Sequence, residues 1–277
     1  MSPLTESTRL TLAKTYVGID DPDAAAYITA VEAADTAAGQ SGGLETATKV
    51  AIHSFVKGCK ADGIWPAIKA SCILSGARTL TGALVPLTGA APTNVSFVSG
   101  DYNRKTGLSD SSNTSKYLAS NYSFASSNSS NAHGSIWLAS TPTNSAELFG
   151  ARRTGAGDGL IGVYRDTSNA AVAYGCWSTG NQAGNSISNN SLIGIARNNA
   201  TNFDTQSGST SSSISLALAA SLPTTLSPFV FSRNNNGSPL TYSTAKIAFY
   251  SFGEYLTLSL LNTRVSALIT AFGVAIP

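Results

Sequence analysis

Residues 245–273 read AKIAFYSFGEYLTLSLLNTRVSALITAFG. The first half is rich in β-branched and aromatic residues and reads as a strand over 246–252. The second half sets Leu258, Leu261, Val265, Leu268, Ile269 and Phe272 on one stripe at helical spacing, with Asn262, Arg264 and Ser266 off it. That spacing predicts an amphipathic helix over 257–272. Only Gly253 and Glu254 separate the two. A single helix cannot shield such a stripe from water, so it must lie on another folded part of the chain.

Working back from this ending, the chain is written in two alphabets. Residues 1–93 are Ala-rich and predict an N-terminal arm and a helical base. Asp21 offers an N-cap, and Pro22 suits the first helical position. A helix follows, with Ala24, Tyr27, Ile28 and Val31 on one face and its end near Asp35. A second helix is expected over 44–60, carrying Leu44, Ala47, Ala51, Phe55 and Cys59 at helical spacing. A third is expected over 64–77, entered through Pro66 and closed at Gly76. From Asn94 to about residue 256, short runs of Val, Ile, Phe, Tyr and Trp alternate with Asn, Ser and Gly clusters. Strands are expected at 95–99, 134–140, 147–153, 160–166, 171–178, 191–197, 228–233 and 246–252. Tight connections at 153–159 and 166–169 predict hairpins. The polar stretch 112–134 predicts a long loop of functional interest. Regular short strands with turn signals between them imply a mainly β chain: a β-sandwich or jelly roll over 94–256, with the helix of 257–277 packing on the base.

Composition narrows the function classes. Of 277 residues only 12% are charged, and the net charge is +2 with no basic run. Nucleic acid is therefore not an expected partner, because phosphate binding needs clustered Lys and Arg. The opening MSPLTESTRLTLAK has no uninterrupted apolar core, which predicts synthesis in a cytoplasm without a signal peptide. No apolar stretch approaches the length of a membrane span, so no membrane partner is expected. Cys59, Cys72 and Cys176 are the only cysteines, an odd number without a C-x-x-C pair, and read as buried thiols.

Catalytic signals are thin. His53 lies in a helical stretch and His133 in a polar one, and no G-x-S-x-G elbow is present. Their separation makes a poor metal site, so no metal and no cofactor are expected. Glu147, Asp158, Asp166, Asp204 and Glu254 lie on or beside strands, where a glycosidase pair would need two carboxylates facing one cleft. Turn and helix-start roles explain several of them more simply. GAGDGLIG at 155–162 precedes a strand rather than a helix and reads as a hairpin turn, not a dinucleotide loop. Sugar recognition is carried by a different set. Trp137, Tyr164, Tyr174 and Trp177 fall on expected strands near Asn181, and aromatic faces with amides suit carbohydrate. The same aromatics also fit an ordinary core.

Residues 55–108, FVKGCKADGIWPAIKASCILSGARTLTGALVPLTGAAPTNVSFVSGDYNRKTGL, resemble a module of bacteriophage tail and virion-surface proteins, and so does the ending at 245–273. Between them the β region resembles concanavalin-like, laminin-G-like jelly rolls in strand rhythm. The resemblance implies a lectin-like jelly-roll domain in a non-enzymatic virion structural protein at the virion surface, with other capsid or tail proteins as partners. A capsid decoration or cement protein is the first expectation. A short tail fibre or adhesin binding host surface glycan is the alternative, and a glycan-cleaving enzyme of the same fold the third. Leu258, Leu261, Val265, Leu268 and Phe272 are then expected in an assembly interface of a homo-oligomer, a trimer by analogy with phage appendages.

Overall fold

The computed structural model describes residues 18–111, 115–124, 130–154, 159–166, 172–221 and 223–277. Helix α1 spans Pro22–Ala37 and α2 spans Thr46–Ala61. The single turn α3 is Leu80–Ala83, and α4 is Leu258–Ala275. The Asp21 carboxylate accepts from the N–H groups of Asp23 and Ala24 at 3.0 and 3.2 Å, capping α1 as the Asp-Pro pair implies.

Strands are numbered in chain order. One sheet holds β1 (Ile68–Ile73), β3 (Tyr102–Asn103), β4 (Gly107–Ser109), β6 (Ala132–Ser140), β11 (Ser191–Arg197), β12 (Asn202–Ser207), β13 (Thr210–Ser215) and β17 (Lys246–Gly253). The other holds β2 (Thr93–Val95), β5 (Tyr117–Ala119), β7 (Ala146–Arg152), β8 (Leu160–Arg165), β9 (Val172–Ser178), β10 (Gln182–Ala183), β14 (Phe229–Val230), β15 (Arg233–Asn235) and β16 (Ser238–Leu240). The first runs β13-β12-β11-β6-β17-β4-β3, with β1 also on β17. The second runs β10-β9-β8-β7-β14-β5-β2, with β15 parallel to β7. The two sheets form the expected lectin-like jelly-roll sandwich. Both predicted hairpins exist: β7 pairs β8 and β8 pairs β9, antiparallel. The tips at 155–158 and 167–171 lie outside the described residues.

Three layers result. Leu118, Ile136, Leu148, Phe149, Val163, Ile193 and Phe252 fill the space between the sheets. The helices cover the outer face of the first sheet, where Tyr27, Phe55, Leu261, Leu268 and Phe272 meet Trp137, Leu192 and Phe249. The helical layer therefore lies on a sheet face rather than at one end of the sandwich. Leu258, Leu261, Val265, Leu268 and Phe272 are buried within the chain. Their stripe is spent on this layer, which corrects their assignment to a subunit interface. By length and composition α4 is apolar enough to cross a membrane, at a mean hydropathy of 1.4, contrary to the sequence expectation.

Three local expectations fail for physical reasons. Residues 64–77 are not a helix: Trp65–Ala67 makes one 3-10 turn, and Ile68–Ile73 pairs antiparallel with β17. The N-terminal segment thus supplies a strand to the sandwich. The expected strand at 95–99 ends at Val95, because Asn94 both accepts from Phe97 N–H and donates to Phe97 C=O, at 3.0 Å each, closing a turn. The expected strand at 228–233 divides into β14 and β15 at Phe231, whose φ is 71°.

Candidate functional site

β12 and β13 are built almost wholly of Asn, Ser, Thr, Asp and Gln. Their alternation still sorts the side chains. Phe203 faces the sandwich core, so Asp204 and Gln206 emerge nearer the helical side. Across the hairpin, Asp204 is in register with Ser213 and Gln206 with Ser211. The corner leaving β17 brings Tyr255 and Thr257 beside them. Together with Leu258 and Ser259 these residues line a polar groove of about 320 Å³.

The groove is braced from below. Asn131 Oδ1 accepts the Tyr255 N–H at 2.6 Å, fixing the corner. Tyr255 Oη donates to Asp204 Oδ2 at 3.3 Å. Burial, then the Asp204 negative charge and hydrogen bond, hold the Tyr255 phenol above its usual pKa, so it stays protonated and donating. Gln206 Nε2 donates to Gly208 C=O at 2.6 Å, and Ser211 Oγ donates to Gln206 Oε1 at 2.7 Å. Asn262 on α4 donates to the same Gly208 carbonyl at 2.9 Å. The result is a carboxylate, a phenol and a row of hydroxyls on a rigid support, groups that both donate and accept. Among the described residues, no three His, Cys, Asp or Glu side chains gather to hold a metal.

The aromatic platform expected from the sequence does not assemble. Tyr174 and Trp177 lie in the core between the sheets, and Trp137 lies under the helices, all buried. A buried ring offers no face to a sugar. Tyr164, half-buried, and Asn181, exposed, do reach the surface of the second sheet. Of the carboxylates, Glu147 is buried and paired with Arg233 at 2.5 Å, Glu254 pairs with Lys69 at 3.3 Å, and Asp166 accepts from Ser145 Oγ at 3.3 Å. Asp158 lies outside the described residues. Asp204 is the one brought into the groove.

The histidines are equally informative. His133 is not in a loop but on β6, fully buried, with its ring nitrogens 2.5 Å from Glu254 O and 2.7 Å from Ser251 Oγ. Burial pushes its pKa down to about 4, so the ring is neutral near pH 7. His53 Nε2 lies 2.6 Å from Asp20 Oδ1. All three cysteines are free and buried, as expected, with burial raising each thiol to about 12. Sequence reasoning missed Tyr255 and the hydroxyl row of β13. The only signal was that Glu254-Tyr255 sits in the strand-to-helix corner.

No family model matches the chain, and no curated protein matches it. Solved structures do. A Trypanosoma rangeli sialidase mutant with trans-sialidase activity aligns over 79% of this chain and 39% of its own, with TM-score 0.46 and 13% identity. The same organism's sialidase, in complex with 2,3-difluorosialic acid, aligns over 92% and 38%, with TM-score 0.38 and 12% identity. A leech intramolecular trans-sialidase aligns over 57% and 26%, with TM-score 0.34 and 12% identity. The chain thus spans well under half the length of these structures. The sequence reading expected a non-enzymatic virion decoration or cement protein without catalysis; the structures matched are of enzymes instead, and that expectation is not carried further. With identities of 12–13% and TM-scores below 0.5, the likeness assigns no residue of this chain a role.

Proposed function

We propose that the protein is directed at glycans and receives a saccharide in the groove of Asp204 and Tyr255. The observation that carries this reading is the groove's chemistry. An open cleft of about 320 Å³ joins a carboxylate, a phenol and the hydroxyls of Ser211, Ser213, Thr257 and Ser259. Sugar hydroxyls donate and accept at once, and this lining answers both demands. The ring of Tyr255 supplies an apolar face beside them. Glycan cleavage is the second reading. The observation favouring it is the hydrogen bond from Tyr255 Oη to Asp204 Oδ2, which sets a proton donor and a carboxylate side by side in the cleft. The likeness of 55–108 and 245–273 to phage virion-surface modules supports a setting on a virion, with other virion proteins as partners and host surface glycan as ligand.

A glycan array probed with the unmodified protein, Asp204→Asn and Tyr255→Ala tests this. Retention of a defined glycan set is expected, with at least tenfold loss in both variants. Undiminished retention in the variants, or no retention by the unmodified protein, overturns the reading. Assay of released monosaccharide in the same incubations tests cleavage: release abolished by Asp204→Asn supports it, and no release counts against it.

A further inference from the structure

Each sheet ends in a pair of very short strands, β4 and β3 in the first and β5 and β2 in the second. β3 pairs β4 over two residues, and β2 pairs β5 over three, so few ladder hydrogen bonds hold either end. One side-chain pair joins the two ends across the sandwich. Asp101 closes the 3-10 turn Ser99–Asp101 that leads into β3, and Lys116 stands immediately before β5. Lys116 Nζ lies 2.7 Å from Asp101 Oδ1 and 2.8 Å from Oδ2.

This pair differs from the chain's other lysine–carboxylate contacts. Its side chains are only 14% and 13% exposed, whereas the other paired lysines among the described residues are 31–52% exposed. Lys116 is also held at its backbone, where the fully buried Asp110 accepts its N–H through Oδ2 at 3.3 Å. A nitrogen this close to both carboxylate oxygens lies about 3 Å from the carbon between them, at near-attack range. Holding two charges out of water is costly, so a neutral product is favoured over the ion pair. A fixed pair also reacts as though at about 10⁵–10⁸ M, which offsets the poor yield of amide condensation in water.

We propose that Lys116 and Asp101 condense to an isopeptide bond that staples the ends of the two sheets together. The step balances within the pair. One proton passes from the Lys116 ammonium to the Asp101 carboxylate along their hydrogen bond. The carboxyl rotates about its Cβ–Cγ bond, the amine lone pair adds to Cγ, and the C=O electron pair moves onto oxygen. Val98 N–H, which donates to Asp101 Oδ2 at 2.8 Å, stabilises that oxygen as its charge grows. A second proton moves from the nitrogen to the departing hydroxyl, the C–O bond breaks, and one water is released. A polar cleft of about 220 Å³, lined by Gly100, Asp101 and Ser109, gives that water an exit.

Intact-mass measurement of the folded full chain, after incubation at neutral pH, tests the bond. The unmodified protein is expected to be one water lighter than its sequence mass, counted with or without Met1. Digestion and fragmentation are expected to yield a branched peptide joining Asp101 to Lys116. Lys116→Arg keeps the ion pair, but a guanidinium does not condense in this way, so this variant should carry the full sequence mass. Asp101→Ala, which removes the acceptor carbon, should do the same. The full sequence mass in the unmodified protein overturns the bond. A missing water that persists in Lys116→Arg also overturns it, because the dehydration then lies elsewhere, as in a succinimide at Asp62-Gly63. The branched peptide is read from the unmodified protein alone, so its presence or absence decides the question even where a variant fails to fold.

Discussion

His133 and Glu147 carry opposed pH dependences in one window. Burial lowers the folded pKa of His133 from its ordinary 6.5 to about 4. Between these values the unfolded chain holds the proton and the folded chain does not, so stability rises with pH. Burial outweighs Arg233 and Arg152 at Glu147 and raises it from 4.5 to about 7. There the folded chain holds the proton and the unfolded chain does not, so stability falls as pH rises through the window. Each contribution is on the order of 3 kcal/mol, from about 1.4 kcal/mol per pH unit. The unmodified protein should therefore show nearly level stability from pH 4.5 to 6.5. His133→Gln should uncover the falling limb and Glu147→Gln the rising one. Urea unfolding at half-unit pH steps measures this, and a steep slope in the unmodified protein would contradict the opposed pair.

Helix α4 is the element on which the helical layer turns. Leu261 and Phe272 are fully buried and Leu268 is 2% exposed. Arg264 Nε and Nη2 donate to the two oxygens of Asp62 at 2.7 Å each, joining α4 to the end of α2. Leu268→Ala should cost about 2–5 kcal/mol by urea unfolding, the range for buried leucine truncation. Leu261→Asp places an unpaired charge in the same layer and should abolish cooperative unfolding. Gly76 has φ of +88°, and a Cβ there would stand 2.7 Å from the Phe272 ring. Gly76→Ala should lower stability by about 2 kcal/mol or more, from backbone strain plus displacement of Phe272. A Gly76→Ala midpoint equal to that of the unmodified protein would show that α4 is not seated on this turn.

At the scale of the molecule, β1 ties the N-terminal segment into the sandwich. It covers β17 from Phe249 to Gly253, so removing it opens a strand edge beside a large apolar face. A fragment of residues 94–277 should be insoluble, whereas one of 18–277 should unfold cooperatively. Sedimentation of the soluble fraction compares the two, and a soluble, folded 94–277 would mean that the sandwich closes without β1.

Residue order alone determined the Asp21-capped α1, α2, the long strands β6, β7, β8, β9, β11 and β17, the two hairpins, and the terminal helix with its apolar stripe. Each is a local pattern: a cap, a 3.6-residue stripe, or a β-rich run bounded by turn residues. Only the tertiary structure decided the rest. β1 is sandwiched between the helical layer and the second sheet, so five of its six residues are buried and no period of two survives to mark it as a strand. For the same reason the sequence could not say which strand aromatics were free. Trp137 points away from the other sheet yet is still buried, because helices cover that face. β12 and β13 have few apolar residues to announce them and exist through pairing with each other and with β11. The groove needs Asp204 and Tyr255, separated by fifty residues of chain, to meet at one corner. Contacts of that kind are set by how layers stack, which no local run of side chains records.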